Sequence, residues 1–164
     1  MLTSIKPKKM KATGGCFAIV ASRYNTRYVE AMVSKARSAL KAAKAERIQI
    51  VRVPGAYEIP VVAATLARAQ SPVFSAIICL GVILRGETTH AQHIGEAVSQ
   101  ALAQIQITSG VPIIHEVLLL ENEQQARVRC LDARHNRGTE AARTALAMAR
   151  VMREINQARP GSRR

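Results

Sequence analysis

Short apolar runs that alternate with helical stripes constrain this chain more than any other feature. A parallel strand covered on both faces reads as an unbroken apolar run, and joining it to the next requires a crossover, usually a helix. Residues 16–21 and 76–83 are such runs, 76–83 the better of them, and 48–53 and 111–119 are mostly apolar runs read as strands beside them. Between 16–21 and 48–53, Val29, Met32, Val33, Ala36, Leu40 and Ala43 recur at spacings of three and four, which predicts an amphipathic helix. Pro54-Gly55 ends the run over 48–53, and a helix over 59–69 tolerates Pro60 only in its first turn. Ile94, Ala97, Val98, Ala101, Leu102 and Ile105 predict a buried stripe on a helix over 89–108. A short helix over 121–129 and a long one over 139–155 complete the chain, with Gly138 expected as the turn between them. The expected fold class is α/β, a three-layer α/β/α single domain around a central four-stranded parallel sheet.

The chain has 164 residues and a formal net charge of +13. Seven of those positive charges, Lys6, Lys8, Lys9, Lys11, Arg159, Arg163 and Arg164, have no acid nearby and fall near the ends. We therefore expect a basic arm over 1–14, a domain over 15–157 and a basic tail over 158–164. The ends lack the interleaved aromatics that stack on bases, so a solvated surface is favoured over nucleic-acid binding. A basic nucleic-acid-binding module or a structural shell protein on the same fold stands as the alternative. Cys16, Cys79 and Cys130 lie far apart without a CxxC pair, which fits a reducing, cytoplasmic setting better than a disulfide framework or a zinc site. The apolar runs are too short to span a bilayer, so no membrane partner is expected.

In open parallel sheets, ligands bind where the strands end. Here the first three apolar runs end in Ser22-Arg23-Tyr24-Asn25, in Gly55-Ala56-Tyr57-Glu58, and in Leu84-Arg85-Gly86-Glu87-Thr88-Thr89-His90. A lone tyrosine at such a place often just covers the core with its hydroxyl in water. Two at matching strand ends, in a chain only 3% aromatic, point instead to a planar ligand. Gly86 is expected to let the backbone turn closely, and Thr88 and Thr89 offer hydroxyls and amides at a helix N-terminus, where an anion is favoured. The same threonines also suit a simple helix cap. His90 begins that helix, and histidine is the side chain that exchanges protons near neutral pH. His90 and His93 lack a third ligand at regular spacing, so no metal is expected. No GxSxG elbow is present, and no cysteine stands at a strand end beside a histidine.

SRYN at 22–25, VPGAYEIP at 53–60, LGVILRGETTH at 80–90 and ENEQQARVR at 121–129 resemble the motifs of the lumazine synthase family, in order and across most of the chain. The resemblance implies a flavodoxin-like fold and a transferase of riboflavin biosynthesis without metal or cofactor. The reaction implied condenses 5-amino-6-(D-ribitylamino)uracil with 3,4-dihydroxy-2-butanone 4-phosphate, giving 6,7-dimethyl-8-ribityllumazine, phosphate and water. By the same resemblance Tyr24 stacks on the pyrimidine, Ala56, Tyr57 and Glu58 hold the ribityl chain, and Val82, Ile83 and Leu84 line the ring pocket. Glu87 and Thr88 contact the phosphate, His90 is the acid/base, and Arg129 is the cation opposite the phosphate. Arg137 falls at a basic position of the family. His115-Glu116 replaces the family's usual aromatic and glycine, that aromatic reaching a neighbouring subunit's ligand, and Gln92 stands where an acid often follows. Homo-pentamers are implied, with a functional link to riboflavin synthase. The turn from Asp132 to Gly138 is as short as in shell-forming members of the family, which by resemblance implies icosahedral shells of sixty subunits, whereas Pro7 limits pairing of the arm with a neighbour's sheet.

Overall fold

The computed structural model describes residues 14–158. The expected basic arm and tail lie almost wholly outside the described residues. Four strands, β1 (Cys16–Ser22), β2 (Arg47–Val53), β3 (Ala76–Leu84) and β4 (Ile113–Leu120), form one sheet in the order β2-β1-β3-β4, every pair parallel. Each strand after the first is reached through a helix: α1 (Thr26–Ala42), α2 (Ile59–Ala67) and α3 (His90–Ser109). After β4 the chain makes the short α4 (Glu123–Ala126), a π-helical turn over Arg127–Leu131 and the long α5 (Arg137–Ala158).

The pleat explains the layers. Ile19, Ala21, Ile78 and Leu80 point to one face, where they meet Val29, Met32 and Leu40 of α1 and Ala142, Ala145 and Ala149 of α5. Alternate residues Ala18, Val20, Ile77 and Cys79 point to the other, against Ile59 and Ala63 of α2 and Val98 and Leu102 of α3. This is the expected three-layer α/β/α arrangement.

Two expectations about glycine change. Gly138 is not a turn between helices but a buried residue in the first turn of α5. A Cβ built there would lie 2.0 Å from the Met32 carbonyl oxygen, so the residue marks the place where α5 crosses the backbone of α1. Gly86, by contrast, has open space around it and no left-handed backbone, so its turn does not require glycine.

The α3 stripe is also less buried than its pattern suggests. Val98 and Leu102 are covered, but Ile94, Ala97, Ala101 and Ile105 are only half-buried, and Ile107 is 76% exposed. Periodicity identified the apolar face correctly; within one chain the sheet covers only part of it.

Candidate active site

The order β2-β1-β3-β4 places a topological switch point between β1 and β3, because the chain leaves β1 toward β2 and later returns to its other side. A crevice opens there at the carboxyl ends of the strands. Asn25 spans it. This residue adopts a left-handed conformation at the N-cap of α1, and its Nδ2 donates to the Val82 carbonyl at 2.7 Å, tying the end of β1 to the end of β3. Asparagine tolerates that backbone better than most residues. Sequence reasoning placed Asn25 at a strand end but gave it no role, although its place between strand and helix was a usable signal.

The ends of β1 and β2 are joined as well. The amides of Arg23 and Tyr24 donate to Pro54 O at 3.1 and 3.2 Å. Gly55 N donates to Glu58 Oε2 at 2.8 Å, and a Cβ on Gly55 would fall 3.2 Å from the Tyr24 ring. Glycine thus lets the ring lie close to the backbone next to Glu58, whose other carboxylate oxygen is not used by that bond. Tyr24 and Tyr57 are 72% and 64% exposed, so both rings are presented outward. Ala56 is buried, and so is the Val82 side chain, which leaves only main-chain atoms of Val82 for a ligand, while Ile83 and Leu84 are half-buried.

The loop of residues 85–89 is exposed and leads into α3. Thr89 makes no side-chain cap bond, and the amide of His90 meets Thr88 Oγ1 only at 3.4 Å. The first turn of α3 therefore keeps donors that its own side chains satisfy poorly, as an anion site requires. Glu87, Thr88 and His90 are all exposed there. Gln92 is turned along the helix, its Nε2 donating to Glu96 Oε1 at 2.8 Å, and is not hydrogen-bonded to His90. Arg85 is paired with Glu121 across the ends of β3 and β4, at 3.0 Å.

His115 and Arg129 are not brought to this crevice. His115 pairs in register with Cys79, five residues short of Leu84, so it lies roughly 17 Å below the mouth at the usual strand rise. It borders a groove of about 610 Å³ between α3 and β4, lined by Gln92, Glu96, Ser99, Val117 and Leu119. Its Nδ1 accepts from the Val117 amide at 3.2 Å, so Nε2 carries the proton toward Ser99 Oγ at 2.8 Å, and Ser99 in turn donates to the Gly95 carbonyl. That tautomer prevents His115 from serving as a base for Ser99. Desolvation lowers the His115 pKa, in keeping with a neutral ring.

Arg129 follows β4 in a turn whose Cys130 and Leu131 pack with α1 and α5, on the sheet face opposite α3 and His90. On the same sheet face stands Glu116, paired with Arg137, a residue the sequence singled out only as a departure. Burial pushes the Glu116 carboxyl up to about 7 against the pull of Arg137, with Glu140 adding repulsion and Arg129 also attracting. An acid whose pKa is raised on folding takes up a proton between its unfolded and folded values, so its contribution to stability falls as pH rises from about 4.5 to about 7. Glu116→Gln is expected to lose that dependence, worth roughly 3 kcal/mol at most at 1.36 kcal/mol per unit. Urea unfolding at pH 5 and pH 8 checks it: identical pH dependence in wild type and variant would count against a buried, strained carboxylate.

Nucleophilic chemistry has little support. All three thiols are free, and burial raises the pKa of Cys79 and that of Cys130, the latter to about 11. Among the described residues, no group of three His, Cys, Asp or Glu side chains is placed to hold a metal ion. No helix among them is long and apolar enough to cross a membrane.

A sequence profile of the 6,7-dimethyl-8-ribityllumazine synthase family matches residues 14–153. The chain is 37% identical over 141 residues to the 6,7-dimethyl-8-ribityllumazine synthase of Stenotrophomonas maltophilia, covering 85% of this chain and 90% of that protein. It is 37% identical over 145 residues to the synthase of Xanthomonas euvesicatoria pv. vesicatoria, covering 87% and 93%. Identity to the synthase of Xanthomonas oryzae pv. oryzae is 38% over 138 residues, covering 83% and 88%.

Proposed function

The chain belongs to the 6,7-dimethyl-8-ribityllumazine synthase family and is an enzyme of riboflavin biosynthesis that condenses a ribitylaminopyrimidine with a butanone phosphate, and we propose that the β1-β2-β3 crevice is where it does so. The observation that carries this assignment is the gathering of Tyr24, Gly55 and Glu58 beside the Asn25–Val82 bridge. Tyr24 stacks on the pyrimidine, and Glu58 and Tyr57, with the main chain of Ala56, hold the ribityl hydroxyls. Val82 supplies main-chain atoms, and Ile83 and Leu84 supply the apolar wall. The amides at the start of α3, with Glu87 and Thr88, receive the phosphate.

Condensation of the pyrimidine amine with the ketone forms an imine and releases water; loss of phosphate unmasks a second carbonyl, and ring closure onto it by the ribitylamino nitrogen releases a second water, each step moving protons. His90 is the exposed group placed to carry them beside the anion. Because the protein also acts by orienting two substrates, His90→Ala should lower kcat by about a hundredfold, the low end for a proton-transfer residue, without abolishing turnover. Mixing both substrates with protein and following lumazine fluorescence measures this. Wild-type protein that yields no lumazine would defeat the assignment, and a His90→Ala variant with undiminished kcat would remove His90 from the chemistry.

Arg129 and His115 enter the site from a second copy. Support comes from their separation from the crevice within one chain and from the half-covered face of α3, with Ile107 and Leu119 exposed. A pentamer, closed further into a shell of sixty, suits this arrangement, and light scattering tests it: a monomer in solution would rule it out. The enzyme then works in the cytoplasm and passes its lumazine to riboflavin synthase.

A further inference from the structure

Four arginines, Arg127, Arg129, Arg134 and Arg137, crowd the segment after β4, and the nearby acids are shared unevenly among them. Arg127 meets Glu123 at 3.6 Å. Arg137 has two partners: its Nε lies 3.2 Å from Glu116 Oε2, and its Nη1 contacts Glu140 Oε2. Arg129 has no carboxylate within ion-pair distance among the described residues, although the field of Glu116 reaches both it and Arg137. Arg129 and Arg137 adjoin Cys130 and Gly138, which the side chain of Asn136 bridges, and only Arg137 is held by an acid.

The holding residue is unusual for its place. Glu116 stands in β4 on the same side as Ile114, Leu118 and Leu120, facing the α1/α5 layer, with only 13% of its side chain exposed. Burying an acid in an apolar strand opposes folding unless a cation compensates. The compensation is electrostatic more than directional, since Arg137 Nε is buried without an aligned hydrogen bond. Buried Asn136 beside it donates to Cys130 O and accepts from Gly138 N, which fixes the turn bearing Arg129 to the start of α5.

We propose that Glu116 sets the number of cations the butanone phosphate meets: it holds Arg137 against β4 and leaves Arg129 as the free one. This rests on the reading of Arg129 as the phosphate cation. Glu116 is thus a positioning residue that acts through Arg137 and touches no substrate.

Steady-state rates of Glu116→Gln, with each substrate varied in turn, test it. Releasing Arg137 should lower KM for the butanone phosphate by roughly threefold to tenfold, the size expected for one more cation in a partly screened site. Competitive inhibition by inorganic phosphate should tighten by the same factor, while kcat and KM for the pyrimidine move less. The effect should vanish in an Arg137→Ala background. An unchanged or raised KM, or an equal fall without Arg137, would overturn the proposal. Glu140→Gln, which removes the more exposed carboxylate on Arg137, should act in the same direction more weakly and serves if Glu116→Gln does not fold. Arg129→Ala measured alongside separates the two failures. An unmoved KM there removes the phosphate reading itself, whereas a raised KM with Glu116→Gln inert removes only the role of Glu116.

Discussion

Gly138→Ala should be among the most destabilising single substitutions in the protein. Its new methyl would stand 2.0 Å from the Met32 carbonyl oxygen, 2.6 Å from the carbonyl carbon and 2.7 Å from Cα, all backbone atoms of α1 that no rotamer change can move. Relief requires α5 to shift away from α1, and the contact between them is made of small residues, Ala141, Ala142 and Ala145, that fill no gap if it opens. Overpacking a rigid core costs about 1–3 kcal/mol and occasionally more, and a main-chain obstacle belongs at the upper end. Against a typical stability of roughly 5–15 kcal/mol, that is a loss of about a fifth to three-fifths, read as a large fall in the urea midpoint. Urea unfolding provides the measurement, with Gly86→Ala as the control, since a Cβ there meets nothing within 4 Å. If the two alanine variants unfold at the same urea concentration, the close crossing of α1 and α5 is wrong.

The pair also shows what a sequence conveys and what it hides. The central strands β1 and β3 were legible because a strand covered on both sides is apolar almost throughout, and the edge strands β2 and β4 because mostly apolar runs survive the polar residues Gln49, Arg52, His115 and Glu116 within them. Glycine carries no such unambiguous meaning. It marks a turn, a left-handed backbone or a close approach, and Gly138 read as the first when it is the third. Gly86 read as a tight turn where any residue fits. The difference lies in what stands opposite, Met32 in one case and solvent in the other, and more than a hundred positions separate Met32 from Gly138.

The candidate site divides along the same line. Tyr24, Tyr57, Glu58 and residues 86–90 could be proposed from sequence because each follows closely on a strand, and the switch-point rule brings strand ends together in space. Asn25 was adjacent to them and went unassigned, since its function as a bridge to Val82 depends on β1 and β3 being neighbours. Glu116 was noticed as an oddity in an apolar strand, but its partner Arg137 lies in another element. The stripe on α3 was correctly apolar, yet an apolar face looks the same in sequence whether a sheet or another copy of the chain covers it.

That last ambiguity is what the loss of Arg129 addresses. Arg129→Ala should raise KM for the butanone phosphate about tenfold to a hundredfold, the range for one charge-assisted contact to a dianion, while KM for the pyrimidine changes little. Within one chain this result has no explanation, because Arg129 lies on the α1/α5 face and His90 starts the helix that packs on the other. A site shared between copies explains it, and such a site has a property no self-contained one has. In a shared site Arg129→Ala would damage the half a chain gives to its neighbour, whereas Tyr24→Ala would damage the half it keeps. When the two variants are unfolded together and reassembled in equal amounts, about a quarter of the interfaces should unite an intact crevice with an intact arginine, as random mixing around a closed ring requires. Activity at low butanone phosphate should then exceed the mean of the two separate variants. Mixed assemblies no more active than that mean would place the whole site within one chain and require the turn after β4 to move across the edge of the sheet.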